Sequence, residues 1–354
     1  MSTDERVVVA GAGFAGVNIA KSLADEREVV LVAPTDQFVY LPMIHEVLSE
    51  TSRPGDVSIP LADLAPQAEH VHARGERVEG DRLITGDGEE LAFDKLVVAI
   101  GAQPADFGIE GVAEHGLSMY SVGDAMRANG TLKQAAAEVE GTLDVNVVGA
   151  SFTGVEVAAE IADLLDDHDV DRRVQLIEAR EGIFPQQSEK FRRGVCEGLE
   201  RLDLDLELGT MVDAVTEDTV HVTTPEGERA IPSDVTFWCA GVEPRSIENV
   251  DQNVDRRLVS NGREDVLVAG DAASFPEDVQ VPKLAQTAED QADVVVQNVL
   301  NPDDPVRYDP QVRGLVVAIG QGYAVAELEH GPVFTGRIPW HVKRNLYKAK
   351  MTLA

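Results

Sequence analysis

The chain has 354 residues, 63 acidic and 30 basic, giving a formal net charge of −33 at pH 7, yet 44 % of it is hydrophobic. That apolar share excludes an acidic disordered chain, the length predicts two or three domains with ample core, and the charge excludes nucleic acid, whose phosphates need a basic face. The acids are spread along the whole chain and the bases divide into 22 Arg and 8 Lys, a balance that fits an acid-coated folded protein in salty cytoplasm, where salt screens self-repulsion.

The opening, MSTDERVVVAG, is acidic and runs directly into a strand, so no secretory signal is expected. No apolar run approaches the ~18 residues that span a bilayer, and an intracellular protein is expected. The first strand feeds the turn Gly11-Ala12-Gly13-Phe14-Ala15-Gly16. Between a strand and a helix this spacing suits a dinucleotide: Gly11 permits the tight turn, Gly13 lets the backbone approach a pyrophosphate, and Gly16 lets helix and strand pack. The next strand, in VVLVAPTD, ends at Ala33 and Pro34, where an acid usually holds a ribose. Backbone groups, Thr35 or Asp36 are left to that task. A hairpin signal, GDGEEL, and the strand in FDKLVVAIGAQP close the unit.

The pattern then repeats. VNVVGASFTGVEVAAEIADL opens a second unit, TPEGERA supplies its hairpin signal, and PSDVTFWCAGVEP closes it. Gly11 to Gly101 spans 90 residues and Gly149 to Gly241 spans 92, with an acid seven residues before each closing glycine (Asp94, Asp234). Apolar runs without alternation fit parallel strands buried on both faces. The expectation is an α/β protein with two Rossmann-like dinucleotide-binding domains in series. In the second turn Ser151 replaces the middle glycine, a slight hindrance to backbone approach. Glu178 ends the following strand 29 residues after Gly149, where it should accept from a ribose diol and repel a 2′-phosphate, favouring NADH; Arg180 is a mild counter-signal. Cys196 and Cys239 form no CxxC and no metal spacing, so reduced core thiols and no metal are expected.

Downstream, VLVAGDAAS is another buried strand ending in Gly270-Asp271, followed by the helix-like KLAQTAEDQADVVVQNVL and the strands GLVVAIG and YAVAELE. With this element the chain resembles the two-dinucleotide-binding flavoprotein reductases over nearly its whole length. The resemblance implies an FAD domain from residues 1–112 and 250–310, an inserted NAD(H) domain at 113–249, and a C-terminal segment at 311–354. It implies non-covalent FAD held by Gly11, Gly13, Phe14, Ala15, Gly16, Ala33, Pro34, Pro42, Val78, Ala99, Gly101, Gly270, Asp271 and Ala285. It assigns NADH to Gly149, Ser151, Phe152, Thr153, Gly154, Glu178 and Gly241.

Within that group the chain is most similar to the type II NADH dehydrogenases, with a haloarchaeal source implied by the charge. QFVYLPMIHEVLSE, FTGVE, PKLAQTAEDQA and FTGRIPWHVKRNLYKAK carry the likeness. It implies that Glu156 orients nicotinamide and flavin and that Gln286 and Gln291 stand on the quinone side. The family's second glutamine falls four residues after the first; that position is Asp290 here, and Gln291 comes one later. The chain is also short, and much of the family's C-terminal membrane platform is expected to be absent.

The tail has no acid after Glu329 and carries Arg337, Lys343, Arg344, Lys348 and Lys350. On a helical projection His341, Arg344, Asn345 and Lys348 share one face, and Trp340, Val342, Leu346, Tyr347 and Met351 cover much of the other, with Lys343 and Lys350 among them. Such a segment suits an anionic membrane surface, the acidic body, or a second copy in a homodimer. The reading is an NADH:quinone oxidoreductase without proton pumping, cytoplasmic or peripheral on the inner face of the cell membrane. Its rivals are a soluble NADH reductase with a protein, dye or oxygen acceptor, a sulfide:quinone-reductase-like enzyme, and a flavin or NAD sensor without turnover.

The acid shell generates a prediction. The melting temperature, followed by intrinsic fluorescence, should rise steadily as KCl is raised from about 0.1 M to about 1 M and beyond, while the Debye length shrinks from ~10 Å to ~3 Å. A flat or falling curve counts against it.

Overall fold

Val7, Val8, Val9 and Ala10 are fully buried, as are Val145 and Val147 of the second unit. Each stretch lies at the middle of a parallel sheet covered on both faces, which is why neither alternates polar with apolar. The computed structural model describes residues 5–329 and 331–353, so the first four residues of the acidic opening lie outside the described residues.

The first unit contains β1 (Arg6–Ala10), α1 (Phe14–Leu23), β2 (Glu28–Ala33), the one-turn α2 (His45–Leu48), β3 (Glu69–His72) and β4 (Lys95–Val98). The chain leaves it through β5 (Ala102–Pro104). The second unit contains β6 (Gly116–Ser118), α3 (Val122–Glu138), β7 (Leu143–Val148), α4 (Phe152–Asp167), β8 (Arg172–Ile177), α5 (Glu189–Arg201), β9 (Asp205–Glu207) and β10 (Val235–Trp238). The chain returns through β11 (Val242–Pro244) to β12 (Val259–Ser260), β13 (Arg263–Val268) and α6 (Ala285–Leu300). It finishes with β14 (Gly314–Ala318), β15 (Ala324–Leu328), β16 (Val333–Gly336) and α7 (Arg337–Leu353). Both hairpin signals fall in three-stranded antiparallel sheets, over residues 75–92 and 211–232.

The first sheet runs β12-β13-β4-β1-β2-β3 and the second β6-β10-β7-β8-β9. Val9 lies opposite both Leu31 and Val97, and Val147 opposite both Leu176 and Phe237. From β1 in one sheet and β7 in the other, the chain builds outward on one side (β2-β3, β8-β9), and the remaining strands lie on the other side. A crevice therefore opens at the strand ends beside β1 in one sheet and β7 in the other. The outgoing β5 and returning β11 pair antiparallel, Gln103 opposite Glu243, and tie the two units together.

Two further contacts fix the assembly. Met43, Ile44, Val47 and Leu48 of the first unit are buried in the core of the second, and Asn129 Nδ2 donates to the Leu48 carbonyl (2.8 Å). The sheet β14–β16 seats on α5 at Gly194 and Gly198. A Cβ on Gly198 would stand 2.7 Å from Ile319 Cδ1, and Tyr323 Oη donates to the Gly194 carbonyl (2.9 Å). Among the described residues no helix is long and apolar enough to cross a membrane.

Asp163 on α4 accepts the backbone N–H of Gln321 (2.6 Å) at the turn between β14 and β15. Burial, reinforced by Glu160, Asp167 and Asp166 and partly offset by that hydrogen bond, pushes its pKa up to about 6. The folded state thus binds this proton more tightly than the unfolded chain. The associated stability is fully present below about pH 4 and is lost as pH rises through about 6. Asp163→Asn removes this dependence, so its melting temperature should fall less than that of the unaltered protein between pH 4 and pH 7. Parallel curves for the two proteins would contradict it.

Candidate functional site

The first turn is shaped by contacts that only glycine tolerates. Gly11 has φ +107°, and a Cβ there would lie 2.2 Å from the Ala99 carbonyl oxygen; one on Gly16 would lie 1.9 Å from the Gly11 oxygen. Gly13 differs, since a Cβ there would meet nothing within 4 Å. It faces open space at the start of α1, which has no side-chain cap and no acid in its first turn. Free amides and the positive helix end are what a pyrophosphate binds. Ala33 is buried at the end of β2, Pro34 is exposed, and the Thr35 hydroxyl donates to the Gln37 carbonyl (3.0 Å), leaving Asp36 as the exposed acid nearby.

Gly101 and Gly270, both with positive φ, border the same crevice. A Cβ on Gly270 would touch Ala15 Cβ at 3.4 Å. A cavity of about 120 Å³ is lined by Gly270, Asp271, Phe275, Lys283 and Gln291. Burial raises the Asp271 pKa against the opposing pull of Lys283, and its carboxylate accepts no hydrogen bond among the described residues. An uncapped helix, an unfilled glycine and an unengaged carboxylate together fit an FAD molecule. Val78 is buried, its N–H donates to the Glu248 carbonyl (2.9 Å), and its own carbonyl accepts from Asn249 Nδ2 (3.2 Å). Pro42 starts a short 3-10 turn over Leu41–Met43, and Ala285 starts α6.

The second turn repeats the first with one change. A Cβ on Gly149 would lie 2.6 Å from the Cys239 oxygen, and one on Gly154 would lie 1.8 Å from the Gly149 oxygen. Ser151 Oγ accepts the Gly154 N–H (3.2 Å) and donates to the Cys239 carbonyl (3.2 Å), so α4 caps itself. Thr153 is exposed beside it. The Glu178 oxygens accept one backbone N–H each, from Ala150 (2.9 Å) and Arg180 (3.0 Å), which fixes the carboxylate at the mouth of the turn. Lone pairs remain for a ribose diol. The Phe152 ring packs against Phe184 (4.7 Å between centroids) and Phe191 (6.5 Å).

Glu156 is buried, and its carboxylate is held within the protein. Oε1 accepts from Lys343 Nζ and from the Ala318 N–H (3.0 Å), while Oε2 lies 3.3 Å from His45 Nε2. Lys343 Nζ is also 3.2 Å from His45 Nε2, and His45 Nδ1 is 3.8 Å from Glu160. Glu156, expected to orient nicotinamide and flavin, is thus a junction of α2, α4 and α7. The sequence reading had Lys343 in the basic tail and His45 in QFVYLPMIHEVLSE, but it missed their partnership with Glu156 and did not single out Glu160. The available signal was a pair of acids, Glu156 and Glu160, one turn apart in the apolar first part of the helix.

The acceptor-side glutamines divide. Gln286 donates to the Gly314 carbonyl (2.9 Å) and accepts the Arg313 N–H (3.1 Å), and Asp290 pairs with Arg313 (2.8 Å). Both anchor the segment that leads into β14, with one N–H and one lone pair of the Gln286 amide engaged there. Gln291 is buried and accepts the Gly270 N–H (2.7 Å) on the FAD-side cavity. The cysteines supply no ready thiolate, since burial pushes the Cys239 pKa up to about 12 and, with Glu200, raises that of Cys196.

In α7 Lys343 and Arg344 turn inward, while Arg337, Lys348 and Lys350 stay exposed. Lys343 meets Glu156, Arg344 lies 3.4 Å from Glu46, Lys350 pairs with Glu289, and Tyr347 Oη donates to the Asp56 carbonyl. Ile338, Val342 and Leu346 form the outer stripe, at 75 %, 48 % and 55 % exposure. Of the three surfaces proposed for the basic residues, these take the acidic body.

The family model for pyridine nucleotide-disulphide oxidoreductases matches residues 5–292. The type II NADH:quinone oxidoreductase Ndh of Mycobacterium tuberculosis is 28 % identical over 385 residues, covering 95 % of this chain and 82 % of its own. The demethylphylloquinone reductase NdbB of Synechocystis is 26 % identical, covering 90 % and 86 %. The structure of NDH2 from Plasmodium falciparum in complex with NADH superposes with a TM-score of 0.88 at 16 % identity, covering 97 % and 94 %, a likeness of fold.

The buried junction can be tested by denaturation. Lys343→Met leaves a buried carboxylate without its cation and should cost about 3–5 kcal/mol, whereas Lys343→Met with Glu156→Gln should recover most of that loss. Additive losses in the double variant would show that the two do not act as a pair.

Proposed function

Because the chain belongs to the pyridine nucleotide-disulphide oxidoreductase family, we propose that it is an FAD-dependent enzyme that oxidises NADH and reduces a quinone. The observation that carries the reading is the pair of glycine-shaped crevices joined by β5 and β11, with neither cysteine suited to relay electrons. Relatives named for quinone reduction, matched over more than four fifths of their length, support the acceptor.

In this reading the FAD domain comprises residues 1–112 and 250–310 and the NADH domain residues 113–249. FAD, when bound, accepts hydride and passes electrons onward. The chain's own residues bind and orient. The amides at Gly13, Phe14 and Ala15 face the FAD pyrophosphate, and Asp271 accepts from its sugar-like hydroxyls. Ala33, Pro34, Pro42, Ala99, Gly101, Gly270 and Ala285 shape the surround. The amides beside Gly149, Ser151, Thr153 and Gly154 face the NADH pyrophosphate, and Gly241 borders the reacting end. Glu178 accepts from the adenosine ribose and repels a 2′-phosphate. Glu156 acts as a positioning residue through Lys343 and His45.

The outer stripe of α7, with exposed Phe334 beside it, supports a peripheral place on the inner face of the membrane through apolar insertion rather than through cations already paired with the body. A second copy seated on the same stripe is the rival, and vesicle flotation against gel filtration separates them.

Purified protein in high salt should be yellow, bleach with NADH, and turn over a menaquinone analogue; bleaching without quinone turnover would leave a soluble reductase with another acceptor. Glu178→Ala should raise the NADH dissociation constant about 10- to 100-fold, the range for hydrogen bonds to a charged group, and narrow the preference over NADPH. An unchanged preference would remove Glu178 from the site.

A further inference from the structure

The loop after β5 holds an aromatic residue that nothing above uses. Phe107 is 65 % exposed, and its φ is +54°, a conformation uncommon for a bulky side chain. The loop around it is braced. Ala105 donates its N–H to the Gly241 carbonyl (3.1 Å), Trp238 Nε1 donates to the Ala105 carbonyl (2.7 Å), and Asp106 accepts the N–H groups of Gly108 (2.8 Å, at Oδ1) and Ile109 (3.0 Å, at its carbonyl). A rigid turn thus presents an apolar ring that no core residue covers. Strain retained beside a ligand crevice points to use there.

Strand order says which part of a ligand lies beneath it. A Cβ on Gly241 would stand 3.1 Å from Phe107 Cζ, so the ring overlies the closing glycine of the second unit. Gly241 follows β10, on the opposite side of β7 from β8, which leads into Glu178. A dinucleotide laid across the Gly149 turn with its adenosine ribose at Glu178 extends its other half toward Gly241. We propose that Phe107 is a positioning residue that packs on the nicotinamide half of bound NADH. The inference rests on the assignment of NADH to the second unit.

The test uses FAD-loaded protein and two probes, NAD⁺ and ADP-ribose, the latter lacking the nicotinamide. Phe107→Ala should weaken NAD⁺ about 2- to 12-fold, the aromatic contribution of about 0.5–1.5 kcal/mol converted at 1.36 kcal/mol per tenfold. Binding of ADP-ribose and the melting temperature should stay as they were, and Phe107→Leu should fall between. Equal weakening of both probes, unchanged NAD⁺ binding, or a lowered melting temperature overturns the inference while leaving the NADH assignment standing. Failure of the unaltered protein to bind either probe overturns that assignment, and this inference with it.

Discussion

Glu156 and Lys343 lie 187 residues apart and meet in the interior. Neither charge is at home there, and the hydration each gives up must be replaced. Glu156 Oε1 gains an ammonium and the Ala318 amide, and Oε2 gains His45. Those partners come from α2 and the C-terminal segment, and Glu156 itself from α4, so the pair can form only when all three are in register. Apolar contacts alone would tolerate slippage between them; a buried carboxylate does not. The orientation of the C-terminal sheet and of α7 against both nucleotide units follows from this point.

The same logic resolves the basic tail. In a chain of charge −33, a helix rich in lysine and arginine finds its nearest anions on its own body. The pairing with Glu156, Glu46 and Glu289 rotates α7 until Ile338, Val342 and Leu346 point outward. A helical projection gives the faces of a helix but not which face a given protein covers. Charge balance in the rest of the molecule decides that.

Much of the architecture was legible because dinucleotide turns impose steric demands that survive in the residues. Gly11, Gly16, Gly149 and Gly154 stand where a Cβ would strike a backbone oxygen, and no tertiary information is needed to see the pattern. Uninterrupted valine runs announced the parallel strands in the same way. Side-chain partnerships were less legible. Gln286 and Asp290 look free in the sequence because their partners, Arg313 and Gly314, lie more than twenty residues on with no periodic relation to α6. Nothing in the sequence around Val78 shows that its backbone bonds to residues 248 and 249, which lie 170 and 171 residues on. Phe107 gives no signal, because its conformation and exposure come from the bracing of a loop by Trp238 and Gly241.

The two turns also differ in what they ask of solution. Helix α1 begins without a cap, so part of its stability has to come from whatever anion arrives, and a ligand that binds only the folded chain adds its binding energy to folding. Helix α4 completes its own first turn through Ser151 and is whole when vacant. In the proposed assignment of FAD to the first turn and NADH to the second, a resident group meets the first arrangement and a visitor the second: one nucleotide becomes part of the folded body, while the other can come and go at each catalytic cycle without loosening it.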